Sequence, residues 1–186
     1  MNDAQIVELF LKRSEQAIGE AKSKYENYCH SIAFNVLHNS EDSEECVNDT
    51  FLQAWNTIPP QRPNLLGSFL GRITRNIALN KYKHNHAQKR GCGHVNVVLG
   101  ELEDCLPSTV NTEQIIEDRF IADCLNKFLS EQKGKTRRIF VRRYWYMDSI
   151  STISSNFRMS ESSVKMLLLR TRNSLKSFLE KEGVSI

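Results

Sequence analysis

Apolar residues recur at helical spacing along most of the chain. Residues 4–22 carry Ile6, Leu9, Phe10, Arg13 and Ala17 on one stripe, and residues 25–38 carry Tyr25, Cys29, Ile32, Ala33, Val36 and Leu37 on another. Both patterns predict amphipathic helices. A third helix is predicted over 43–57, with Val47, Phe51, Ala54, Trp55 and Ile58 inward and Glu45, Asn48, Asp49, Gln53 and Asn56 outward. Asp42, three residues before Glu45, resembles a capping box with Asp as the cap. Pro59-Pro60 ends this helix, because proline cannot continue the hydrogen-bond ladder. The fourth, over 68–88, turns Phe69, Leu70, Ile73 and Ile77 inward and shows Arg72, Arg75, Asn76, Asn80, Lys83 and His84.

The second half opens with a predicted helix over 113–130, rich in Ile, Leu and Phe. Another follows over 134–146, with Ile139, Phe140, Tyr144 and Met147 inward and Arg138, Arg142 and Arg143 outward. Two shorter patterns finish the chain. Ser149 can cap a helix carrying Ile150, Ile153 and Phe157, Arg158-Met159 makes a turn, and Ser160 can cap the last helix. That helix places Val164, Leu168, Thr171, Leu175 and Phe178 at alternating steps of 4 and 3. Its opposite side presents Ser162, Ser163, Lys165, Arg170, Asn173 and Lys176. A short helix, a tight turn and a second helix with a basic outer face is how a recognition helix reaches a major groove.

Composition narrows the picture. The 186 residues contain only 8 Gly and 4 Pro, too few for a turn-rich sandwich or barrel, so an all-α fold is expected. We expect two small helical domains joined by a flexible linker, the C-terminal one a helix-turn-helix. The boundaries expected are 1–90, a linker over 91–112 mixing Gly, Val, acids and Pro107, and 113–186. No apolar run approaches the ~18 residues of a membrane span, and the N-terminus does not read as a signal peptide, so a cytoplasmic location is expected. The five cysteines (Cys29, Cys46, Cys92, Cys105, Cys124) are widely spread and form no C-x-x-C, which points to buried thiols rather than a disulfide framework or a zinc ribbon. No nucleophile–base constellation or Gly-rich phosphate loop occurs. No enzymatic activity, cofactor, metal or small-molecule substrate is therefore expected.

Charge is distributed unevenly. Net charge is only +3, yet Glu41 to Asp49 holds five acids and no base, and no acid occurs between Asp49 and Glu101. That interval carries Arg62, Arg72, Arg75, Lys81, Lys83, Lys89 and Arg90. From Lys127 to Arg143, seven cations face Glu131 alone. Two acid-free basic blocks on predicted helices point to a polyanion partner.

Three segments, in order, resemble one family. Asp42 through Trp55 (DSEECVNDTFLQAW) is similar to the segment of sigma-70-type factors that docks on RNA polymerase. Phe69 through Ala78 (FLGRITRNIA) resembles their promoter-melting helix, and Ile139 through Lys176 resembles their −35-reading domain. Having just these two domains is typical of the extracytoplasmic-function (ECF) group.

The resemblance implies a sigma factor that binds core RNA polymerase through the β′ clamp helices and directs it to promoter DNA. Glu45, Asp49, Gln53 and Asn56 would meet the polymerase. Arg72, Arg75, Asn76, Asn80, Lys81 and Lys83 would hold the −10 strand. Arg142, Arg143, Ser162, Ser163, Lys165, Leu169, Arg170 and Arg172 would serve the −35 element. Two departures stand out. Family members usually have Gly where Arg158 stands in the turn, which implies about 1 kcal/mol of strain if Arg158 is left-handed. The run Met166–Leu169 is also greasier than the family's. It can touch a thymine methyl, or form a patch for an inhibitory anti-sigma factor. The alternative function is a free-standing helix-turn-helix regulator that does not replace a sigma factor.

Overall fold

The computed structural model describes residues 1–86, 94–103 and 114–184. Among them every regular element is a helix, as the scarcity of Gly and Pro predicts. The elements are α1 (Asp3–Leu11), α2 (Gln16–Leu37), α3 (Ser40–Thr57), α4 (Leu66–His86), α5 (His94–Glu103), α6 (Gln114–Glu131), α7 (Gly134–Tyr144), α8 (Ile150–Phe157) and α9 (Glu161–Lys181). The chain divides into two compact units, Met1–Gly91 and Cys92–Ile186.

In the first unit α2, α3 and α4 pack on one another, with α1 beside them. Ile6, Phe10, Val47, Phe51, Ile58, Leu66 and Leu70 form the core, and burying each such side chain contributes roughly 1.5–3 kcal/mol relative to exposing it. The core also holds a polar seam between α3 and α4. Thr50 donates to the Cys46 carbonyl at 2.8 Å and Thr74 to the Leu70 carbonyl at 2.9 Å, and the two hydroxyl oxygens lie 3.1 Å apart. Each hydroxyl is satisfied within its own helix, so the seam avoids the cost of a buried unpaired donor.

Two boundaries depart from the sequence pattern. The expected helix over 4–22 is broken at 12–15, and α2 then runs straight through Lys22-Ser23-Lys24. The Ser14 N–H reaches the Leu9 carbonyl and the Arg13 N–H the Phe10 carbonyl, a Schellman closure with Arg13 at φ 56. The turn is pinned to α3, because Arg13 donates to the Trp55 carbonyl at 2.5 Å and its guanidinium lies 5.2 Å from the indole. The cap of α3 is also not Asp42. Asn39 accepts from the Asp42 N–H at 2.9 Å, so the helix starts a turn earlier and Asp42 sits in its first turn.

In the second unit α9 packs against α6, α7 and α8. Val164, Leu168, Thr171 and Leu175 are buried as expected; the last member of the stripe is Leu179, while Phe178 is half-buried against Phe128. Ser149 and Ser160 cap α8 and α9, accepting from the N–H groups of Thr152 and Ser163. The expected linker over 91–112 contains a helix, α5, whose Val95 and Val98 are buried and which packs on α7. The remaining linker residues, with Cys92 and Cys105, lie outside the described residues.

Arg158 is left-handed (φ 50, ψ 53), closing α8 through Met159 N–H to Ser154 and Arg158 N–H to Ser155. Arg158→Gly should therefore raise the unfolding free energy by up to about 1 kcal/mol, since glycine adopts this conformation without a Cβ clash. Urea denaturation of the two proteins checks this.

Candidate protein and nucleic-acid interfaces

The core stripe of α3 dictates what its other side shows. Cys46, Val47, Thr50, Phe51 and Ala54 point inward, which leaves Glu45, Asp49, Gln53 and Asn56 exposed along one ridge. Asp49, Gln53 and Asn56 make no side-chain hydrogen bond or ion pair among the described residues. Glu45 is different. Lys81 on α4 reaches its Oε2 at 2.5 Å and the Asp42 Oδ1 at 2.8 Å. Burial lowers the Lys81 pKa, but the hydrogen bonds and charges of Asp42 and Glu45 outweigh this and raise it. Leu52 stands in the middle of the same ridge, 57% exposed. It is absent from the expected set, although helical periodicity alone puts it opposite Thr50 and Ala54.

Along α4, Arg72, Asn76, Asn80 and Lys83 are exposed at steps of 4, 4 and 3, so they share one side. Arg72 lies 5.7 Å from the Phe69 ring. Arg75 is half-buried on the flank, and desolvation lowers its pKa. Lys81 leaves the expected set: it faces α3 and its charge is already paired.

On α9, Ser162, Ser163, Lys165, Leu169 and Arg170 are all exposed, with Met166 among them at 49% and Leu169 at 42%. Arg142 is half-exposed and paired with Asp148 at 2.6 Å. Two expected members are withdrawn. Arg143 is 3% exposed, held by Glu101 of α5 at 2.5 Å and by the Asp148 carbonyl at 3.0 Å. Arg172 lies 3.2 Å from Glu101 and donates to the Tyr144 hydroxyl at 2.6 Å, and that hydroxyl donates to Glu101 at 2.9 Å. The outward placement expected for Arg143 is thus corrected: a carboxylate 42 residues away draws it inside. Beside these, Lys135, Arg137, Arg138, Arg142 and Arg158 line an open groove of about 720 Å³ floored by Phe157 and Val141. No acid lines it.

Cys29, Cys46 and Cys124 are buried free thiols. Burial, and then the charge of Asp49, pushes the Cys46 thiol up to about 12, and burial also raises Cys29 and Cys124. A protonated thiol is a poor nucleophile and a poor metal ligand. Among the described residues no group of three or more His, Cys, Asp or Glu side chains could hold a metal, and no helix is long and apolar enough to cross a membrane.

Residues 23–88 match the family model described as Sigma-70 region 2. That segment is similar to sigma-70 region 2. It takes in most of α2, all of α3 and all of α4, which carry both the acidic ridge and the basic amide side of the first unit. The match supports membership of the sigma-70 family, whose region 2 binds core RNA polymerase and promoter DNA. It spans roughly a third of the chain and leaves the second unit unmatched. No curated protein matches the chain.

The Glu101 cluster carries its own pH dependence. Burial raises the Glu101 pKa, but the hydrogen bond and charge of Arg143, with Tyr144 and Arg172, hold it below the usual 4.5. A carboxylate depressed on folding stabilises fully above its unfolded pKa and loses that contribution as pH falls through the folded value. Acidification from about pH 6 to about pH 3 should therefore loosen α5, and Glu101→Gln should flatten the dependence. Amide exchange of α5 against pH is the measurement.

Proposed function

We propose that the chain is a sigma factor of the extracytoplasmic-function group, binding core RNA polymerase and directing it to a promoter subset. The observation that carries this reading is the region 2 match over the helices that expose the acidic ridge of α3 and the basic side of α4. Asp49, Gln53 and Asn56, flanking Leu52, meet the β′ clamp helices, and Glu45 joins them from its pairing with Lys81. Arg72, Asn76, Asn80 and Lys83 hold the −10 strand, amides on base edges and cations on phosphates, with Arg75 at the flank. The unit from α6 to α9 serves the −35 element. There α8, the Arg158 turn and α9 act as a helix-turn-helix, and Ser162, Ser163, Lys165, Leu169 and Arg170 face the groove. Met166 and Leu169 also suit an anti-sigma partner with an apolar helix. Such a factor works in the cytoplasm, takes no cofactor and performs no chemistry itself.

A free-standing helix-turn-helix regulator leaves the region 2 match without a role. Run-off transcription with purified core polymerase separates the two readings, since promoter-specific transcript requires the sigma activity.

Asp49→Arg with Gln53→Ala should weaken core-polymerase binding at least about tenfold, because both side chains are exposed and a reversed charge opposes a complementary surface. Pull-down with purified polymerase reads this, and circular dichroism should show an unchanged fold. Arg170→Ala should lower duplex affinity and reduce the salt slope by about 1. Titrations at several salt concentrations check it.

A further inference from the structure

We propose that α5 is a latch: docked through Glu101, it withholds Arg143 and Arg172 from polyanions, and its release frees both cations. The attachment is narrow. α5 has 10 residues, fewer than the roughly 12–15 an isolated helix needs to persist in water, so it is helical because it is docked. Its fully buried apolar side chains are Val95 and Val98, with Leu99 and Leu102 half-buried. Among the described side chains of α5, the remaining hold is one carboxylate shared among Arg143, Tyr144 and Arg172. Few buried contacts mark an element that opens before the rest of its domain.

The exchange is chemically balanced. Arg143 is 3% exposed and paired with Glu101, while the nearby Asp148 carboxylate is engaged by Arg142. A phosphate offers the same pair of acceptor oxygens to a guanidinium as a carboxylate does. An incoming polyanion can therefore take over both arginines without leaving a buried charge unpaired.

The test compares wild type, Glu101→Gln, Val98→Asn and a charge-matched control, Asp123→Asn, at an exposed site on α6. Amide exchange is read on the full-length proteins, and the salt needed to elute each from heparin reports cationic surface without assuming promoter binding. Both α5 variants should lose about tenfold protection in α5 while α8 and α9 keep theirs. Val98→Asn should elute later than wild type despite equal net charge, and Glu101→Gln later than Asp123→Asn. Unchanged or earlier elution of Val98→Asn overturns the latch. So does loss of protection in α8 and α9 together with α5, which would make α5 part of the fold. Absence of promoter-directed transcript alongside the expected heparin shifts would sink the sigma reading and leave the latch standing.

Discussion

A helix can bury only one stripe, and in both units the side chains that buried stripes leave over are the ones available for function. In α3 the inward set from Cys46 to Ala54 forces Glu45, Asp49, Gln53 and Asn56 onto a common ridge. In α4 the buried Leu70, Ile73 and Ala78 do the same for Arg72, Asn76 and Asn80. The two ridges keep their relation because the Thr50–Thr74 seam and the shared apolar core fix α3 against α4. Local polarity therefore becomes a surface pattern with an acidic side and a basic side on one rigid support.

Electrostatic pairing then decides which charges remain available. Lys81 is spent on Asp42 and Glu45 at a partly exposed site, where an ion pair contributes about 0–1 kcal/mol. Its larger effect is to remove one cation from the basic side and soften one anion on the acidic ridge. Glu101 acts in a more buried setting. There, removing one partner leaves a desolvated charge behind, which costs more than the pair itself contributes. The same device, a long-range acid meeting a basic helix, is mild in the first unit and decisive in the second.

Much of this was legible in the sequence. The stripes of α3, α4 and α9 set both the helices and the exposed sets, and Ser149 and Ser160 fixed the entries to α8 and α9 from local chemistry alone. A left-handed Arg158 was suggested only by the resemblance, since the family usually has Gly at that turn, and the structure has it at φ 50. The α3 cap failed locally, because Asn39 outcompetes Asp42 three residues on, but two other failures had non-local causes. The break after α1 depends on Arg13 reaching Trp55, 42 residues on. The burial of Arg143 depends on Glu101, and the local sequence around Glu101 reads only as an acidic loop. Helical periodicity placed Arg143 outward; it carries no information about a helix arriving from the linker.

These non-local pairs matter because they sort the cations by availability. Lys165 and Arg170 are open to any polyanion at once, as are Arg72 and Lys83 in the other unit. Arg143 and Arg172 are open only when Glu101 lets go. Affinity for a nucleic acid scales with the number of phosphates neutralised, so a protein that holds two cations in reserve binds DNA weakly until a competing interaction supplies the release. If region 2 first fixes the chain on core polymerase, the second unit is then tethered near upstream DNA at high effective concentration. Under those conditions a phosphate competes with Glu101 on favourable terms, whereas for the free protein in solution it does not. In the proposed sigma role, withheld charge in the second unit and an open ridge in the first would favour the same order of events: polymerase before promoter.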